Sequence, residues 1–197
     1  EFTLTDNAIV DTTSVTVTAD TFNVNGATDT FAGLTIQSGA TLTGSGTLNA
    51  PVTVESGGIA TPGGNPGILN TGNLTLDSGS TTTIEFDGND GAGVADGHDQ
   101  ISVTGAVDIT GATLSVDTTD VVAGDIVIGE RFVIISNDGM DAVTGTFAGL
   151  AEGAIVASNV AGTGRSIEIS YVGGTDDNDV ELRIVPPTDV FLDGSGN

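Results

Sequence analysis

Oxygen donors crowd one glycine-rich stretch of the chain, Asp87-Gly88-Asn89-Asp90-Gly91-Ala92-Gly93-Val94-Ala95-Asp96-Gly97-His98-Asp99. Asp87, Asn89, Asp90, Asp96 and Asp99 would present hard ligands at short spacing on a backbone that glycine leaves free to wrap, which suits Ca²⁺. The pattern departs from the EF-hand loop, because Gly91 stands where a third ligand is needed and His98 where a bidentate Glu would close the site. The expectation is therefore an irregular Ca²⁺ site, set against a plainly solvated acidic loop. A second stretch, Gly173-Gly174-Thr175-Asp176-Asp177-Asn178-Asp179, is similar to the Ca²⁺-binding nonapeptide of β-rolls, but Asp176 replaces a required Gly and only one copy is present, so it reads as a turn.

Catalytic chemistry finds little to build on. His98 is the single histidine and there is no cysteine, which removes most nucleophile–base and zinc arrangements. Asp176, Asp177 and Asp179 could supply a carboxylate pair for glycoside hydrolysis, yet with no Trp and one Tyr there is little aromatic surface to stack a sugar. The chain is read as a non-enzyme without catalytic residues, and Ca²⁺ is the one cofactor expected.

Charge narrows the partners. Against 27 acidic residues, 20 of them Asp, stand only Arg131, Arg165 and Arg183, giving a net charge of −24. Such a surface repels phosphate backbones and anionic lipid, so neither nucleic acid nor a membrane surface is an expected partner. No run of about 18 apolar residues is available to span a bilayer. The acidity also keeps a long apolar-cored particle from sticking sideways to its neighbours.

The elements that must position these groups are strands. Thirty Gly, abundant Thr and Val, 4% aromatic residues and no Lys describe turns and β-branched strands rather than helices. One phrase recurs: Leu34-Thr35-Ile36-Gln37-Ser38-Gly39, Val52-Thr53-Val54-Glu55-Ser56-Gly57 and Leu74-Thr75-Leu76-Asp77-Ser78-Gly79. Each copy puts two aliphatic side chains on one face, Thr on the other, and a glycine turn at the end. The copies are 18 and 22 positions apart, a short period at which chains stack into a solenoid. The fold expected is all-β, a right-handed parallel β-solenoid (β-helix) with a more sandwich-like β cap at the C-terminal side.

Four regions are expected. Residues 1–33, with strand runs at Phe2-Thr3-Leu4, Val15-Thr16-Val17-Thr18 and Thr21-Phe22-Asn23-Val24, form the first coils or a cap. Residues 34–120 form the repeat, interrupted by a corner loop expected to project at Thr61-Pro62-Gly63-Gly64-Asn65-Pro66-Gly67. It resumes in strand runs over Ile101–Thr104 and Val107–Val116. Residues 121–185 change to longer apolar runs, Asp125–Ile128 and Phe132–Ile135, then Ser166–Tyr171 and Val180–Ile184. Residues 186–197 read as a linker and the start of a following strand or module. Thr-Phe-Ala-Gly-Leu occurs at 30–34 and again at 146–150. The chain opens in strand-like sequence without an initiator Met, as a piece of something longer would.

The segments Leu42-Thr43-Gly44-Ser45-Gly46-Thr47-Leu48, Val52 to Gly58, Thr61 to Gly67 and Leu74-Thr75-Leu76 resemble the autotransporter-associated β-strand repeat of large bacterial surface and secreted proteins. Thr144 to Leu150 and Ser170 to Leu182, with Gly124-Asp125, resemble the segment that commonly follows it. This resemblance implies an extracellular or cell-surface location and a displayed structural stalk, and carries no catalytic residue across. The function expected is a structural module of a large extracellular bacterial protein, a rigid spacer or fibre unit that meets copies of itself or neighbouring modules end to end. The alternative is an adhesin module that binds surface glycan through the loops at Pro62–Gly67 and Asp87–Asp99. A polysaccharide-degrading enzyme ranks last.

Overall fold

The structure, a computed structural model, describes residues 2–4, 14–26, 32–139 and 141–187. The strands in chain order are β1 (Phe2–Leu4), β2 (Val15–Val17), β3 (Asp20–Val24), β4 (Leu34–Ile36), β5 (Ala40–Gly44) and β6 (Thr47–Leu48). They continue as β7 (Val52–Val54), β8 (Ile59–Pro62), β9 (Ile68–Thr71), β10 (Leu74–Leu76), β11 (Thr81–Glu85) and β12 (Gln100–Val103). The last are β13 (Val107–Asp108), β14 (Thr113–Asp117), β15 (Arg131–Asn137), β16 (Ile155–Ala157), β17 (Ser166–Gly173) and β18 (Asp179–Val185).

Three sheets share these strands. One runs β13-β10-β7-β4-β2 and a second β1-β3-β5-β8-β11-β14, both parallel throughout. The third runs β16-β17-β18-β15-β12-β9-β6; it is parallel from β6 to β15 and antiparallel from β15 to β16. From β4 onward the chain gives one strand to each sheet in turn before returning to the first, four times over, ending with β15.

This corrects the expected fold. The strands are distributed over three sheets, one of them mixed, where a single right-handed parallel β-helix closed by a separate sandwich-like cap was expected. The C-terminal strands are antiparallel members of the third sheet, because β18 lies directly against β15. Alternating apolar residues say which face of a strand is buried, but the direction of the neighbouring strand leaves no trace in them.

The repeated phrase fixes both the core and its corners. Leu34, Val52, Leu74 and Val107 stand in register and are all buried, as do Ile36, Val54 and Leu76, so successive rounds share one aliphatic stack. Thr16, Thr35, Thr53 and Thr75 line up on the outer face of the same strands.

After each of these strands comes the same tight turn. Ala40 N–H donates to Gln37 O, Gly58 N–H to Glu55 O, Ser80 N–H to Asp77 O and Ala112 N–H to Ile109 O. The third residue of each turn is glycine with φ of +83° at Gly39, +81° at Gly57, +86° at Gly79 and +74° at Gly111, the left-handed position that a type II turn requires. These glycines also stack: Gly39 N–H donates to Gly57 O and Gly57 N–H to Gly79 O, both at 2.9 Å.

Several local readings change. Thr61 and Pro62 belong to β8, paired with Thr43 and Gly44, and Pro62 and Pro66 are buried, so only Gly64 and Asn65 at the tip of the corner are exposed. Proline is tolerated there because the β8–β11 pairing stops at Ala60, so its missing N–H interrupts no ladder bond. Val107–Val116 is two strands joined by the Ile109–Ala112 turn. That turn is a fourth and degenerate copy of the repeat, with Thr110 in the Ser position. Asp125–Ile128 is no strand: a 3-10 turn covers Ala123–Asp125, Ile126 is buried, and Val127 and Ile128 are exposed. The strand and turn expected after Thr188, and positions 30 and 31 of the Thr-Phe-Ala-Gly-Leu echo, lie outside the described residues.

A Cβ added at Gly57 would come within 2.5 Å of Ser38 Oγ in the preceding round, whereas one added at Gly39 would meet nothing within 4 Å. Gly39→Ala is expected to cost about 1–2 kcal/mol, the left-handed penalty alone. Gly57→Ala should cost ~1–3 kcal/mol more through overpacking. Urea unfolding of the two variants measures the difference, and equal losses would remove the stacking explanation.

Candidate functional site

The alternation of β11 carries the site. Thr82, Ile84 and Phe86 face the core, which turns Thr81, Thr83, Glu85 and Asp87 outward. In the neighbouring strand β14, Asp117 stands opposite Glu85. Beyond it the chain turns at once, because Asp117 Oδ1 accepts from Thr119 N–H at 3.0 Å and from the Thr119 hydroxyl at 2.5 Å. Asp120 thereby comes round to Glu85 and Asp87, and one carboxylate oxygen from each of the three lies within 4.8 Å of the others.

This cluster can hold a metal ion. Three hard oxygens converge from two strand ends, with Glu85 and Asp87 half-buried and Asp120 exposed. Burial and then the negative charge of Asp87, Asp99, Asp117 and Asp120 raise the Glu85 carboxyl above its ordinary value. Burial and then Asp120, Asp117 and Asp96 raise that of Asp87. A cation at this point would relieve the repulsion that adds to burial in these shifts.

Of the five residues expected to bind Ca²⁺, only Asp87 belongs to the cluster. Asn89 turns its Nδ2 to Glu130 Oε1 at 3.4 Å. Asp90 and Asp96 are exposed, Asp96 with a left-handed φ of +56°. The loop between them closes on itself through its backbone: Asp87 and Gly88 N–H both donate to Gly97 O, Asp90 N–H to Asp96 O and His98 N–H to Gly91 O. Asp99 is 1% exposed and its two oxygens are spoken for, Oδ1 by Gly67 N–H at 2.8 Å and Oδ2 by Glu85 N–H at 2.9 Å. Its carboxylate pins the Pro62–Gly67 corner to the end of β11.

Glu85 and Asp120 escape a reading by local density, since one closes a Thr-rich strand and the other lies 35 residues further on. The available signal was the outward phase of Glu85 in β11.

His98 is buried and is not part of this cluster. Its ring packs edge-on against Phe132 at 5.4 Å and lies 6.5 Å from Phe86, and Nε2–H donates to Val133 O at 3.2 Å. Burial holds its pKa below the ordinary value, with the Val133 bond acting the other way. The Gly173–Asp179 stretch is the turn between β17 and β18: Asn178 Nδ2 donates to Gly139 O at 2.9 Å, and Asp179 Oδ1 accepts from Asn137 N–H at 2.8 Å. No family model matches the chain, and no curated protein matches it.

Burial pushes the Asp99 carboxyl up to about 6, the Glu85 and Gly67 N–H groups pull it down and the Asp87 charge pushes it up. A carboxyl raised by folding binds its proton more tightly in the folded state. Its contribution to stability is therefore present at low pH and lost as pH rises through about 6. His98 acts in the opposite sense, since the unfolded chain takes up its proton first as pH falls below the ordinary histidine value. The comparison that isolates Asp99 is wild type against Asp99→Asn. As pH falls from 7.5 to about 4.5, wild type should gain stability relative to the variant in thermal melts. A gap independent of pH would remove Asp99 as the titrating group.

Proposed function

We propose that the chain is a structural module of a large extracellular bacterial protein, a rigid spacer that joins neighbouring modules or copies of itself end to end through strand edges. The observation that supports this most is the single hydrophobic core shared by all three sheets, in which row after row of buried side chains stands in register. Side chains stacked at about 4.8 Å leave each round dependent on its neighbours, which favours stiffness along the stack. Edge backbone groups supply the means of joining, and the net charge of −24 opposes lateral association. The extracellular setting draws on the resemblance to autotransporter-associated repeats.

Ca²⁺ is the ion assigned to Glu85, Asp87 and Asp120, an all-oxygen set that suits a hard cation. Bound there, it would tie the end of β11 to the turn after β14 and add to stability by mass action. Millimolar Ca²⁺ should raise the melting temperature of wild type by several degrees, an effect reversed by chelator and absent in Asp120→Asn. Sedimentation over a range of concentrations, with Ca²⁺ and with chelator, tests the joining. Larger species that grow with concentration support end-to-end assembly by copies, and a monomer in both arms confines the module to joining other partners.

A further inference from the structure

At the C-terminal end of the stack, two of the three sheets are closed by the chain itself. The β13 edge is covered by residues 144–148: Thr144 N–H donates to Val107 O, Ile109 N–H to Thr144 O, Gly111 N–H to Thr146 O and Ala148 N–H to Ala112 O, all between 2.7 and 3.0 Å. The β15 edge is covered by β18. The second sheet ends on β14, whose only strand neighbour among the described residues is β11.

The backbone of β14 points half its groups away from β11. Thr113 N–H donates to Ser80 O and Asp117 O accepts from Phe86 N–H, both at 2.8 Å. In a parallel ladder this assigns Thr113, Ser115 and Asp117 to β11 and turns the N–H and C=O of Leu114 and Val116 to the open side. Among the described residues nothing bonds those four groups. The side chains agree: Leu114 and Val116 are only half-buried, while Phe22, Leu42 and Ile84 on the inner face of the same sheet are 2% exposed or less.

We propose that this edge accepts an extended basic peptide segment by strand addition, with two apolar residues at alternate positions over Leu114 and Val116 and a Lys or Arg beside Asp117. Main-chain bonds to Leu114 and Val116 provide the pairing and the two aliphatic contacts fix the face. Charge selects the partner. Asp117, Glu85, Asp87 and Asp120 surround the far end of the strand. A cation opposite Asp117 makes a favourable cross-strand pair, and a further acid there an unfavourable one. A second copy of this chain would have to give up an internal contact to supply that cation. It has no Lys, and its arginines are engaged internally, Arg131 with Glu181, Arg183 with Glu168 and Arg165 with Ile126 O. The inference rests on the joining role proposed above for the place, and departs from it in naming a partner of opposite charge.

The test is fluorescence anisotropy of a labelled Thr-Val-Thr-Val-Lys-Gly peptide with the full chain. Saturable binding is expected, weakened about tenfold or more by Val116→Pro, which removes an N–H from the open side only. Asp117→Asn or high salt should weaken it severalfold. N-methylating alternate peptide nitrogens should abolish uptake and requires no change in the protein. A scrambled peptide of equal charge that binds as well would overturn the proposal, as would binding indifferent to both Val116→Pro and N-methylation, or no binding. Self-association that Val116→Pro removes, in a protein that ignores the peptide, would give the edge to a second copy and overturn the basic partner while leaving end-to-end joining intact.

Discussion

A strand in a parallel sheet cannot hand the chain straight back to its neighbour; the chain must travel round and arrive again at the same height. Everything here depends on meeting that condition four times. The stacked type II turns meet it at one corner, where Gly39, Gly57, Gly79 and Gly111 all hold positive φ. The turn glycine sits against the preceding Ser, 2.5 Å from a notional Cβ at Gly57 and 2.6 Å at Gly79. That contact leaves no room for a side chain, and the glycine–glycine bonds continue the ladder through the corner. With one corner fixed in height, the other two absorb differences in loop length. The 18- and 22-residue spacings and the long insertion before β12 therefore reach the same register.

The register decides where charge can go. Inward positions are filled by aliphatic rows and the outer face of the first sheet by Thr, which leaves the corners and strand ends for the acids. At this strand end burial first, and then the repulsion of neighbouring carboxylates, raises the pKa values of Glu85 and Asp87. Among the acids of the parallel rounds Asp99 went inside, and it is satisfied by two backbone N–H groups. A buried acceptor of that kind is costly to leave without donors, which ties the conformations of Gly67 and Glu85 to each other.

The repeated phrase made the core legible: Leu34, Ile36, Val52, Val54, Leu74 and Leu76 are all buried and in register. The number of sheets was not legible, because a three-residue strand carries one face and one turn and says nothing of how many corners follow. Nor was the direction of β18, since Val180, Leu182 and Ile184 would read the same in a parallel strand. The Ca²⁺ residues were chosen by density along the chain. The cluster is built by a cross-strand neighbour and an Asp–Thr turn, so Asp87 is shared and Glu85 and Asp120 come from elsewhere.

How the stack ends also explains where the few cations went. A parallel stack has an edge on every sheet, and closing it with the same chain requires reversing direction. Strands β15, β18 and β17 make that reversal, and all three arginines lie within or beside them. Glu181 is 2% exposed and would be an uncompensated buried charge without Arg131. Glu168 is held in the same way by Arg183. Two of the three arginines are thus paired with acids within the closing strands, and Arg165 donates to Ile126 O beside them. The β14 edge, away from those strands, keeps two half-buried aliphatic side chains and an acidic margin, the two features to which the proposed ion and basic strand answer.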